Sequence, residues 1–172
     1  MRQRCKKYGF LLLLASVLSW ASAQELQLGG RVGGSTQQES GQLDGEAGVF
    51  AAWQSEPLRL GMRLEVNYQD RRGQSGSDWQ MPLLATLPLH RQRLVEVQAG
   101  PYLSVQNNPE PLPRPITWGF STGLQVNLPL SHRWVLSSQA RADHDLGGHP
   151  ELTPARTLSF SLTFGLAYLL KR

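Results

Sequence analysis

The sequence is poor in cysteine and in lysine. Its single cysteine, Cys5, lies near the amino terminus, and after residue 23 the only lysine is Lys171. The segment after residue 23 therefore has no thiol, which excludes disulfides, a thiol nucleophile and a cysteine-ligated metal within it. Soluble proteins usually carry many lysine and glutamate side chains on the surface that faces water. The scarcity of lysine thus argues against a fully solvated outer face.

Long apolar runs are also missing, except close to the amino terminus. The chain opens with four basic residues, followed by an apolar run over about 10–20 and the small residues Ala21, Ser22 and Ala23. This pattern predicts a secretory signal peptide over 1–23, because the apolar run is shorter than the roughly 20 residues that span a bilayer. We therefore expect one exported mature domain over 24–172.

Removal of the predicted signal peptide brings the formal net charge to zero. The whole chain carries 17 Lys and Arg against 13 Asp and Glu, a formal charge of +4 at pH 7. Four of the basic residues and none of the acidic ones lie before residue 24, so 13 basic residues balance 13 acidic ones in the mature segment. Nucleic acid is not an expected partner, because its recognition needs a basic surface.

Apolar and polar residues alternate along nearly the whole mature segment. The run RTLSFSLTFGLAYLL at the carboxyl end is the clearest case, and LRLGMRLEVNY and TWGFSTGLQVNL repeat the pattern. Weaker versions occupy about 25–35, 45–55, 78–89, 93–105 and 133–143. Alternation with a period of two is typical of β-strands, and no segment has a helical period. The sequence therefore predicts eight strands.

The connections between these strands differ in length. Long, polar, Gly- and Pro-rich connections are expected at about 36–44, 70–78, 106–115 and 144–156, and short ones at 55–57, 90–92 and 129–133. The two kinds alternate along the chain, as they do when a meander closes into an outer-membrane barrel. A tilted strand of about 10 residues also rises on the order of 25 Å, which matches the apolar band of such barrels.

These patterns predict an all-β fold: an eight-stranded antiparallel up-and-down transmembrane β-barrel, located in the outer membrane after export. The alternative is a soluble, secreted, lipocalin-like cup that binds a small apolar ligand, since the same alternation fits an apolar interior. The polar faces of the strands favour the membrane barrel, because their charges are few and of balanced sign.

Charged residues on the polar faces are expected to pair inside the barrel. Arginine binds a carboxylate through two parallel hydrogen bonds, and a narrow lumen brings such groups together. The predicted structural network consists of Arg31, Glu46, Arg59, Arg63, Glu65, Glu96, Arg141 and Asp143. Eight strands leave an interior only wide enough for side chains, which argues against a porin.

Aromatic residues of the apolar faces fall near the strand ends. With the amino terminus at the rim of the short turns, Tyr68, Trp79 and Trp118 lie toward the rim of the long loops. Trp53, Trp134 and Tyr168 lie toward the rim of the short turns. The sequence thus predicts two interfacial aromatic girdles, with outer-membrane lipid around the barrel.

The fourth and fifth strands carry a resemblance to a known family. The stretch WQMPLLATLPLHRQRLVEVQAGPYLSV resembles the signature of the PorT-like family of small outer-membrane β-barrel proteins. In that signature, an aromatic residue, two further residues and Pro-Leu-Leu precede a partner strand that ends in Ala-Gly-Pro-Tyr. The resemblance extends over essentially the whole mature chain, and these two motifs are its specific part. It implies the outer-membrane location and the barrel fold more than an activity, and one member of the family, similar to a component of a protein-secretion apparatus, suggests a secretion or envelope complex.

Candidate catalytic or metal-binding side chains are few. Asp143, His144, Asp145, His149 and Glu151 cluster in one predicted loop, and Ser131 and His132 lie at the opposite rim. The predicted register brings no serine, histidine and carboxylate together, and a solvated loop accounts for the acidic cluster. We therefore expect no catalytic residue, no cofactor and no metal. The expected function is non-enzymatic, with an envelope protein as partner of the extracellular loops.

Overall fold

The computed structural model describes residues 24–37, 41–55, 60–71, 76–89, 93–107, 116–147 and 158–171. They form eight strands: β1 (Gln24–Gln37), β2 (Leu43–Ser55), β3 (Leu60–Arg71), β4 (Gly76–Pro88), β5 (Val95–Asn107), β6 (Ile116–Pro129), β7 (Trp134–Gly147) and β8 (Leu158–Lys171). Each strand pairs antiparallel with the next, and β8 pairs with β1. The predicted eight-stranded antiparallel barrel is confirmed. The predicted signal peptide over 1–23 and Arg59 lie outside the described residues.

Most strands are longer than the alternation predicted, and the connections of one rim are correspondingly shorter. One rim, the long-loop rim, carries the connections 38–42, 72–75, 108–115 and 148–157. The other, the short-turn rim, carries 56–59, 89–94 and 130–133. The predicted strict alternation of long and short connections is wrong at 72–75, which has the same length as 56–59, and at 38–42, which is shorter than 89–94. Polar residues at strand ends continue the ladder, because backbone pairing does not require an apolar side chain.

The barrel wall is apolar outside and polar inside. Leu64, Leu124 and Leu162 point outward and are 45%, 51% and 53% exposed, whereas the inward Glu65 and Arg141 are 0% and 3% exposed. This polarity is opposite to that of a soluble cup, whose apolar side chains point inward. The lipocalin-like alternative is therefore wrong. Across the described part of the chain, no helix is long and apolar enough to cross a membrane.

Pairing on both sides of β4 is interrupted next to a proline. Between β3 and β4, Leu64 pairs with Leu83 and Asn67 pairs with Gln80. The two positions of β4 between these pairs, which include Pro82, are not paired with β3. Proline has no N–H to donate to a ladder. On the other side of β4, a Cβ added to Gly100 would lie 2.0 Å from the carbonyl oxygen of Leu83. Only glycine lets β5 approach β4 this closely, so Pro82 and Gly100 belong to one local irregularity of the wall.

Candidate functional site in the barrel lumen

Glu65 lies at the centre of the lumen and contacts three arginines. Its Oε1 lies 2.6 Å from Arg63 Nε, and its Oε2 lies 2.8 Å from Arg31 Nη1 and 2.9 Å from Arg141 Nη1. Arg63 and Glu65 occupy successive inward positions of β3, because side chains alternate between the two faces of a strand. Closure of the barrel then brings Arg31 of β1 and Arg141 of β7 to the same carboxylate.

Two further carboxylates balance the arginine charge. Glu46 Oε1 accepts hydrogen bonds from Arg31 Nη2 at 2.7 Å and from Arg141 Nη2 at 3.3 Å. Asp143 Oδ2 accepts one from Arg141 Nε at 3.0 Å. Six of the predicted residues therefore form one connected set, the lumen network, with three positive and three negative charges: Arg31, Glu46, Arg63, Glu65, Arg141 and Asp143. Pairing of this kind is required, since an unpaired buried charge costs several kcal/mol.

Glutamine side chains extend the lumen network, although the predicted network of charged residues does not include them. Gln139, Gln125 and Gln80 accept hydrogen bonds from Arg31, Arg63 and Arg141, respectively. Gln98 donates to Gln125 Oε1 at 2.7 Å and accepts a hydrogen bond from Gln139. All of them are buried at inward strand positions. The alternation that places the charged residues in the lumen also places these glutamines there. An amide is uncharged, however, so the sequence does not indicate which group it pairs with.

Glu96 faces the lumen but lies outside the lumen network. It accepts a hydrogen bond from Gln54 Nε2 at 3.1 Å, and none of the ion pairs that connect the six residues of the network includes it. Its register partners are Pro88 and Gln125, toward the short-turn rim. The membership of Glu96 in the predicted network therefore stays a prediction, and the register holds this residue toward one end of the barrel.

Arg93 reaches across the mouth of the barrel at the short-turn rim. Its Nη1 lies 3.0 Å from Glu25 Oε2 and 2.8 Å from Gln54 Oε1, so the β4–β5 turn is joined to β1 and β2. The residue has a backbone φ of 55°, in the left-handed region that residues other than glycine seldom adopt. A cavity of about 140 Å³ opens beside it, and Glu25 and Glu96 are part of its lining. These contacts narrow the mouth.

Near the long-loop rim, the candidate catalytic side chains do not converge. Ser121 donates a hydrogen bond to Asp143, and Tyr102 donates one to Asp145, both on the lumen side. His144 lies between these two aspartates on β7 and therefore points to the opposite face. His149 and Glu151 lie outside the described residues. Within the described ranges, no group of three or more histidine, cysteine or acidic side chains could hold a metal ion.

The aromatic residues of the outer wall form two edge-to-face pairs at opposite ends of the barrel. Tyr68 and Trp79 pair toward the long-loop rim, with ring centroids 5.3 Å apart, and Trp134 and Tyr168 pair toward the short-turn rim, 5.0 Å apart. Trp118 is exposed on β6 opposite Gly147, and Trp53 is half-buried between Leu26 and Met62. Their role as interfacial girdles stays a prediction.

The closed sheet, the apolar outer wall and the paired lumen charges define the class of protein: an eight-stranded β-barrel of the outer-membrane type. The closed sheet leaves no strand with an open edge, as a segment surrounded by lipid requires.

Solved structures of this class resemble the chain in fold. Neisserial surface protein A has a TM-score of 0.62 at 10% identity, over 86% of this chain and 97% of that one. A major outer membrane protein from Thermus thermophilus has a TM-score of 0.58 at 17% identity, over 86% and 100%. Ail, the attachment invasion locus protein of Yersinia pestis, has a TM-score of 0.50 at 8% identity, over 86% and 97%. No family model and no curated protein matches the sequence.

Proposed function

We propose that the protein spans the outer membrane as a closed, non-enzymatic barrel and acts as a structural or interaction protein through its extracellular loops. The observation that carries this proposal is the lumen network around Glu65, which fills the interior with paired charges. In a barrel whose interior is occupied in this way, the outer wall faces lipid and the lumen is filled by the protein's own side chains. The loops then remain as the part that meets a partner.

The burial of the lumen supports a closed barrel rather than a pore. Glu65 and Asn67 of β3 and Ser121 of β6 are fully buried, although all three point inward. A water-filled channel would leave such side chains exposed. Eight strands enclose a space that side chains are sufficient to fill.

We also propose the finer assignment to the PorT-like family. Its two motifs meet on adjacent strands, since Pro82 pairs in register with Tyr102 and Gly100 packs against the Leu83 carbonyl. The motifs thus describe one local structure and not two unrelated strands, which supports the assignment. On this proposal, the loops bind an envelope protein, within a secretion or envelope complex.

Fractionation followed by crosslinking tests the proposed function. The protein is expected in the outer-membrane fraction, and a membrane-impermeant crosslinker added to intact cells should link it to a partner protein. Shortening the connection 148–157 should remove that link without loss of the folded barrel. Shortening 130–133, at the other rim, should leave the link in place. Recovery of the protein in the soluble periplasmic fraction would overturn the proposal.

A further inference from the structure

Arg133 lies at the outer edge of the short-turn rim, beside an aromatic pair. Its Nη1 donates a hydrogen bond of 2.7 Å to the hydroxyl oxygen of Tyr168. The guanidinium carbon lies 6.0 Å from the centroid of the Tyr168 ring. Trp134, the next residue, stands edge-on to the same ring at an interplanar angle of 69°. The cation is therefore held next to the Tyr168 ring, which itself pairs with Trp134 on the outside of the barrel.

The backbone around Arg133 is fixed by the turn. Ser131 Oγ accepts hydrogen bonds from the N–H groups of Arg133 and Trp134, at 3.3 Å and 3.2 Å. The carbonyl oxygen of Arg133 accepts a hydrogen bond of 2.8 Å from Leu169 N–H on β8. Because both its N–H and its carbonyl group are hydrogen-bonded, the backbone position of Arg133 relative to the barrel wall is set before any ligand binds.

The surroundings of Arg133 place it at the polar edge of the apolar wall. Leu136 and Leu166 occupy the outward positions next to Trp134 on β7 and next to Tyr168 on β8, and both are exposed on the outer face. Interfacial tryptophan and tyrosine rings lie at the level of the lipid headgroups, so a cation just beyond them faces headgroup phosphates. In the described part of the chain, no carboxylate forms an ion pair with Arg133, whereas Arg93 of the same rim turns inward to Glu25.

We propose that Arg133, Tyr168 and Trp134 form a binding site for the phosphate of an anionic phospholipid in the membrane leaflet at the short-turn rim. Guanidinium groups bind phosphate oxygens through paired N–H donors, and the tyrosine hydroxyl orients the guanidinium toward the headgroup layer. The acyl chains of the lipid lie against the apolar wall around Leu136. This inference rests on the proposed membrane location and is independent of the partner of the loops.

Lipid retention measured by native mass spectrometry tests the site. The full chain is reconstituted in phosphatidylcholine nanodiscs that contain a minor share of phosphatidylglycerol, then released, and the retained phosphatidylglycerol molecules are counted. Arg133→Gln should lower this retention about fivefold, since a basic residue at an anionic surface contributes about that factor. Tyr168→Phe should lower it as well, because the hydroxyl that holds the guanidinium is lost.

Arg93→Gln is the matched control, because it removes the same charge from the same rim but from inside the mouth. It should retain the lipid as the wild type does. Equal retention by Arg133→Gln and the wild type, or an equal loss in Arg93→Gln, would overturn the site. If Arg133→Gln does not fold, Arg133→Lys replaces it, and this variant should retain less lipid because a single ammonium lacks the paired donors. Failure of the wild type to enter nanodiscs would instead contradict the proposed membrane location.

Discussion

Arg141 Nη1 of β7 lies 2.9 Å from Glu65 Oε2 of β3, and this contact joins strands on opposite sides of the barrel. The same carboxylate group also binds Arg31 of β1 and Arg63 of its own strand. One fully buried carboxylate thus contacts three guanidinium groups. Neutralisation of Glu65 should therefore affect the whole lumen network and not a single pair.

Glu65→Gln is expected to lower the free energy of unfolding by about 3–5 kcal/mol, since removal of one partner leaves buried charge uncompensated. Urea unfolding in detergent micelles measures this loss. Glu25→Gln provides the control, because Glu25 also pairs with an arginine but its pair is partly exposed at the mouth. Glu25→Gln should lower the free energy of unfolding by only about 0–1 kcal/mol. Similar losses in both variants would contradict a dominant role of the buried network.

The wild-type barrel is expected to show no steady ion conductance in planar bilayers, because the paired charges and glutamines occupy the lumen. Glu65→Gln and Glu96→Gln should also remain non-conducting, since each exchanges one side chain for another of the same size. A stable single-channel current from the purified wild type would force a transport function in place of the closed barrel.

Cysteines introduced at the outward positions Leu64, Leu124 and Leu162 should react with lipid-soluble probes and resist aqueous ones. The background is low, since the only natural cysteine, Cys5, lies in the predicted signal peptide. A cysteine at Gln125, one residue from Leu124 but pointing inward, is the control and should resist the lipid-soluble probe. The opposite labelling would place arginines in lipid, at about 2–4 kcal/mol each near the midplane.

The closed barrel should be heat-modifiable on a gel. All backbone groups within lipid must pair internally, which makes a closed sheet resistant to detergent until it is heated. Boiled and unboiled samples are therefore expected to migrate differently. Identical mobility of the two samples, from protein extracted out of membranes, would speak against a closed sheet.

Gly100→Ala should destabilise the barrel by about 1–3 kcal/mol, because the added Cβ would lie 2.0 Å from the backbone oxygen of Leu83. Gly45→Ala is the matched control, since nothing lies within 4 Å of a Cβ at that outward position. Unfolding midpoints in urea compare the two. An equal effect of both substitutions would mean that the close approach of β4 and β5 is not a constraint on the fold.

The sequence by itself determined the eight strands and which face of each is polar. Successive side chains of a strand point to opposite faces, so a run such as RTLSFSLTFGLAYLL assigns the outward and inward sets without knowledge of any partner strand. The inward positions of Arg63 and Glu65, and the outward position of Leu64 between them, follow from this local rule.

Only the tertiary structure decided which inward groups meet. The contact of Glu65 with Arg31 and Arg141 depends on the register of several strand pairs and on closure of β8 onto β1, and neither is encoded in a local period. The separate position of Glu96 and the packing of Gly100 against Leu83 arise in the same way. Alternation acts over two residues, whereas the lumen contacts join residues up to 108 positions apart in the chain.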